Sequence, residues 1–130
     1  MKELPWLALA GALGTLSRYG LSMGIHRFTP DSFPWPTLVV NVVGCFFFAL
    51  IWALVEQRVD GEQLRLIVLT GFFGAFTTFS TFAFDSGGLL RASQFGAAAA
   101  NLVAQNLLGL GAIFLGLKAA QIGLDAMHGS

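Results

Sequence analysis

The sequence predicts an all-α membrane protein of four short spans, and three observations carry that expectation. Of its 130 residues 55% are hydrophobic and only 11% are charged, and the mean hydropathy of +0.73 lies far above what a water-soluble domain tolerates. The apolar residues gather into four runs, each near the roughly 20 residues that a helix needs to cross a bilayer. The connections between runs are about ten residues long, too short for a separate soluble domain. One membrane domain covering residues 1–130 is expected.

The first span runs from about 4 to 25 and is interrupted by Arg18. It ends before a loop marked by Pro30, Asp31, Ser32, Pro34 and Pro36, because proline lacks the N–H that a helix interior uses. Ala8 to Ala10 offer small residues for a signal cleavage site but stand too early for one, so this span is read as retained. The second, about 37 to 55, carries no charge, and Asn41 is its one strongly polar residue. After an Asp60-Gly61 turn the third extends over about 64 to 84. Its middle, Thr70 through Phe82, is dense in glycine, hydroxyls and phenylalanine, and predicts a break in mid-span. Irregular backbone at membrane depth survives only where protein or water satisfies the freed groups, so the break belongs in the interior of an assembly. The fourth span, about 95 to 117, is again uncharged.

Lys and Arg total 7 and Asp and Glu total 7, a balance that leaves no electrostatic footprint for nucleic acid. The single cysteine, Cys45, lies in an apolar run and behaves as a small hydrophobe. No His, Glu or Lys stands in mid-span, His26 and His128 lie outside the apolar cores, and no nucleophile–base or metal-ligand spacing appears. Proton-relay chemistry therefore has no seat, and an enzyme is not expected. Asp85, at the end of the third span, is the only acidic candidate and is assigned no role.

Positive charges divide almost evenly, with Lys2, Arg58, Arg65 and Lys118 on one side and Arg27, Arg91 and Arg18 on the other. So weak a bias fixes no orientation. It permits two copies to insert oppositely and pair about a two-fold axis in the membrane plane, and four spans are too few to enclose a pathway alone.

Polar groups inside a span are costly and face protein or water. Asn41 reads either as interhelical glue or as an N–H donor to a passing anion. Arg18 reads as a structural cation or as an anion-attracting charge. Phe79 and Phe82, three apart, share a helix face, where they serve packing or turn their positive ring edges toward an anion. Asn101, Gln105 and Gly109 on one stripe, and Gly20 with Gly24, read as close-packing surfaces.

The stretches Gly11 to Tyr19, Thr37 to Gly44 and Gly71 to Phe82 closely resemble the bacterial Fluc (CrcB) fluoride channels. The resemblance covers nearly the whole chain, and the run Thr77-Thr78-Phe79-Ser80-Thr81-Phe82 is its most specific part. It implies an antiparallel, dual-topology homodimer in the bacterial plasma (inner) membrane, through which fluoride leaks passively out of the cell. HF enters from acidic surroundings and dissociates inside, so an exit for the anion gives fluoride resistance. By the same resemblance Phe79 and Phe82 line the fluoride path, Asn41 is the amide beside it, and Ser80 and Thr81 supply hydroxyls. A structural sodium ion at the dimer centre is bound by backbone carbonyls that map onto Gly74 and Thr77. Freed carbonyl dipoles at a helix break suit a small hard cation. The chain departs from the family in its fourth span, where Asn101, Gln105 and Asn106 stand in place of hydroxyls, and at Asp85, where a glutamate is common. Two rival readings stay open: a proton-coupled small-solute exporter of the small multidrug-resistance type, and a scaffold subunit that transports nothing.

Overall fold

The computed structural model describes residues 2–56 and 61–128, and within them every regular element is helical. Arg58 and Asp60, used above for charge balance and a turn, lie outside the described residues, as does the side chain of His128. The order is α1 (Leu4–His26), α2 (Trp35–Glu56), α3 (Gly61–Arg65), a π-helical segment (Leu66–Phe73), α4 (Gly74–Phe76), α5 (Phe79–Arg91) and α6 (Phe95–His128). Three stretches, Trp35–Glu56, Gly61–Arg91 and Phe95–Met127, are long and apolar enough to cross a membrane. With 23 residues, α1 has the length, roughly 34 Å at 1.5 Å per residue, without the same apolarity.

The prolines sit where a helix accepts them. Pro5 and Pro36 both fall in a first turn, where the missing N–H has no intrahelical partner in any case. The ends of α5 and α6 lie beyond those expected, reaching Arg91 and His128 instead of residues 84 and 117. Charge at Asp85 and Lys118 ends an apolar span, but it does not end a helix. What stops α5 is a Schellman turn: Gln94 N–H donates to Leu89 C=O at 2.9 Å and Ser93 N–H to Leu90 C=O at 3.0 Å. Ser93 takes the left-handed conformation (φ 57°) that this turn requires.

Small residues let the helices approach. α6 runs along α2, and α1 lies against the π-helical segment. A Cβ at Gly14 would strike the carbonyl of Phe72 and sit 3.2 Å from the Cβ of Ala75. Gly20 and Gly24 make no such approach within a single copy: among the described residues, no atom beyond their immediate chain neighbours and own helix backbone lies within 4 Å of a Cβ added at either. Within the chain the close-packing glycine of α1 is Gly14. Gly14→Ala should therefore destabilise the protein by about 1–3 kcal/mol through overpacking against backbone that cannot move aside, read as a lowered thermal midpoint in detergent. Gly20→Ala should leave that midpoint unchanged or slightly raised. The core is aromatic: Val40, Leu69, Phe73 and Phe76 are buried together, with Phe72 stacked on Phe76 at 5.9 Å and Phe73 edge-on to Phe76 at 6.2 Å. This cluster anchors the residues just before the chain leaves helical geometry.

Candidate functional site

Two adjacent threonines make the interruption between α4 and α5. Thr77 (φ −81°, ψ 157°) and Thr78 (φ −149°, ψ 110°) are both extended. Thr77 closes the first helix: its N–H and its Oγ1 both donate to the Phe73 carbonyl, at 3.0 and 2.9 Å. Thr78 opens the second as its N-cap, its Oγ1 accepting from the Thr81 N–H at 3.2 Å and donating to Thr81 Oγ1 at 2.9 Å. Ser80 Oγ lies 3.3 Å from the same hydroxyl.

The freed peptide groups of Thr78 are met from α2. Asn41 Oδ1 accepts from the Thr78 N–H at 2.8 Å, and Asn41 Nδ2 donates to the Thr78 carbonyl at 3.1 Å. The side-chain amide thus replaces a neighbouring peptide, as buried backbone requires. Gly44, one turn further along α2, leaves room for the Thr77 methyl, which a Cβ there would strike. These bonds have a consequence for two other carbonyls. In an unbroken helix Gly74 C=O would accept from the Thr78 N–H and Thr77 C=O from the Thr81 N–H. Here those donors go to Asn41 Oδ1 and to Thr78 Oγ1.

Asn41, Phe79, Phe82 and Gln105 come together on one cavity of about 290 Å³, bounded also by Gly44, Cys45, Thr78 and Asn106. Among the described residues no charged side chain lines it. The two rings meet at a tilted edge, centroids 5.5 Å apart and planes at 64°. Phe82 is 8% exposed and Phe79 77%, so in a single copy one ring is packed and the other faces outward. Thr81 borders a different cavity of about 280 Å³, with Thr15, Arg18, Ser22, Thr37 and Thr78. Ser80 lines neither. Thr78 belongs to both cavities. Thr37 joins the second to a wider mouth of about 440 Å³ that also holds His26, Asp31 and Asp85. Thr37 Oγ1 donates to Asp85 Oδ2 at 2.7 Å. Among the described residues no carboxylate lies within ion-pair distance of Arg18, and hydroxyls surround it.

α5 is fixed to α6 by a buried polar pair. Asn101, 0% exposed, donates from Nδ2 to Ser86 Oγ at 3.0 Å, and Ser86 Oγ donates to the Phe82 carbonyl at 2.8 Å. This chain of bonds ends on Phe82 itself. Asn101 is thus a hydrogen-bonding contact, in keeping with the stripe expected on the fourth span. Gln105, one turn along α6, does more than pack. Its Oε1 accepts from Asn41 Nδ2 at 3.1 Å, joining α6 to the amide that closes the break. The signal was present in the sequence as an amide on the stripe of Asn101, but periodicity alone does not tell a packing amide from one that borders a cavity.

Residues 5–117 match the family model described as CrcB-like protein, Camphor Resistance (CrcB). The chain is 56% identical over 123 residues to the "Fluoride-specific ion channel FluC" of Nitrosococcus oceani, covering 93% of this chain and 98% of that protein. It is 48% identical over 123 residues to the protein of the same name from Solidesulfovibrio magneticus, covering 94% and 98%. A third so named, from Nitratidesulfovibrio vulgaris, is 47% identical over 123 residues, covering 94% and 99%.

Proposed function

The chain belongs to the CrcB-like family and is a multi-pass membrane fluoride channel, not an enzyme, and from that premise we propose how it conducts. Two copies, inserted oppositely in the bacterial inner membrane with α1 as a fourth span in each, pair so that fluoride leaks passively from the cytoplasm. The observation that carries the reading is the uncharged cavity where the Phe79 and Phe82 rings meet the amides of α2 and α6. Ring edges and neutral donors attract a small anion weakly, and weak sites let it leave as well as enter. Phe79, 77% exposed, supports a second copy as the missing wall. Ser80 and Thr81 offer hydroxyls at the start of α5, and Arg18, with no carboxylate within ion-pair distance among the described residues, borders the same cavity as Thr81.

The diverted donors at the break fit a structural sodium ion. The carbonyls of Gly74 and Thr77 would hold it, with matching carbonyls from the second copy replacing its hydration shell, and the bound charge would tie the two copies together. Exchanging sodium for a large organic cation should then lower the dimer fraction seen by size exclusion. Full assembly after verified sodium removal would count against the site.

Purified protein in liposomes under a potassium–valinomycin clamp tests the channel itself. Fluoride should escape quickly, chloride should stay, and no proton gradient should be needed. Transport that runs only with a proton gradient would favour the exporter reading, and absence of any flux would leave a scaffold.

A further inference from the structure

The junction between α2 and α3 carries a cation that the anion path does not use. Gly61 is buried, and a Cβ there would strike the carbonyl of Val55, so the lack of a side chain lets α3 close onto the end of α2. In that position the guanidinium of Arg65 lies over the Trp52 ring, its Cζ 5.2 Å from the ring centroid. Arg65 Nε donates to the Gly61 carbonyl at 3.2 Å, a part-buried bond that holds the group in place. Among the described residues its terminal nitrogens make no hydrogen bond, and no carboxylate lies within ion-pair distance. A half-buried cation without an anion keeps the desolvation cost of its charge and gets little in return. The same pair marks a boundary. Trp52 stands one turn from the end of α2 at Glu56, and Arg65 is the last residue before the apolar run Leu66 to Leu69. Trp and Arg at the end of a span sit at headgroup level, where arginine keeps its stem in lipid and its charge toward phosphate.

We infer that Arg65 and Trp52 form a binding site for the phosphodiester headgroup of a bilayer phospholipid. The ring covers one face of the guanidinium, whereas the remaining N–H donors lie in its plane, where a phosphate accepts two of them side by side. Leu66, 40% exposed, begins the apolar surface on which the acyl chains of the same molecule would lie. The occupant is a lipid and not free phosphate, because the bilayer presents headgroups at this depth at high local concentration. A single cation facing water holds a hydrated ion only weakly. The site is independent of what the chain conducts.

Thermal unfolding of the purified full chain in detergent tests the site, with dioleoylphosphatidylglycerol, dioleoylglycerol or sodium phosphate added. Phosphatidylglycerol should raise the midpoint of the unaltered protein by about 3–6 °C. Arg65→Gln keeps a polar stem without the charged fork, and should lose about half of that rise or more. Dioleoylglycerol, which has the chains without the phosphate, should shift the two proteins equally, and sodium phosphate should raise neither. An equal rise with phosphatidylglycerol in both proteins would overturn the site, as would no rise in the unaltered protein. A rise with sodium phosphate as large as with the lipid would overturn it in favour of a soluble anion. Where the Gln variant fails to fold, Arg65→Lys decides. It keeps the charge and gives up the planar fork, so its rise should be the smaller, and a rise equal to that of the unaltered protein counts against the site. No fluoride is measured, so a failure here leaves the channel reading standing.

Discussion

Phe82→Ile should slow fluoride loss from proteoliposomes by about tenfold or more, a barrier change on the order of 1.4 kcal/mol, while the protein still assembles. The substitution keeps an apolar side chain at a position that is 8% exposed and removes the quadrupole whose positive edge would meet the anion. Its structural cost is modest. A large-to-smaller change in a packed site that keeps its hydrophobic character costs about 1–2 kcal/mol. The backbone of residue 82 stays anchored by the Ser86 and Asn101 bonds, which reach its carbonyl and not its ring. Flux and stability are thereby separable. Unchanged fluoride loss by a protein that still folds and assembles would end the assignment of ring edges to the path.

Asn41→Leu should be far more damaging to the fold. Leucine has nearly the same bulk, but three hydrogen bonds disappear and the N–H and C=O of Thr78 lose their partner at the break. At about 1–3 kcal/mol for each of the two stranded groups, the cost is about 2–6 kcal/mol, a large share of the roughly 5–15 kcal/mol that holds a typical domain. Asn41→Asp separates the parts of that effect, since its carboxylate can still accept from the Thr78 N–H but gives nothing to Thr78 or Gln105. Thermal unfolding in detergent should rank the proteins as unaltered, Asp, then Leu. Equal midpoints for the unaltered and Leu proteins would show that the break closes without this residue.

Much of the architecture was legible because bilayer physics writes it into local composition. Length and hydropathy place α2, the interrupted 61–91 stretch and α6. The run of glycine, hydroxyl and aromatic residues gave the neighbourhood of the interruption, which the structure locates at Thr77 and Thr78. The helix ends at Arg91 and His128 were not legible, because a charge marks where lipid stops and says nothing about where backbone hydrogen bonding stops. Gly20 and Gly24 share with Gly14 the small size that permits close approach, yet only Gly14 meets a neighbouring backbone within the chain. Ser80 and Thr81 sit beside Phe79 in sequence and away from its cavity in space, because successive helical residues point about 100° apart.

The sequence by itself determined an all-helical membrane chain, the position of its weak point, and the polar residues that had to find partners inside it. Only the tertiary structure decided which partners they found. Asn41 closes the break, Thr78 caps the helix that follows, and Gln105 is left with a buried N–H beside two aromatic rings. The reason is physical: burying a polar group makes a hydrogen bond obligatory, but which groups supply it depends on where separate helices meet. Residues 41, 78 and 105 lie far apart in the chain and are joined only by packing.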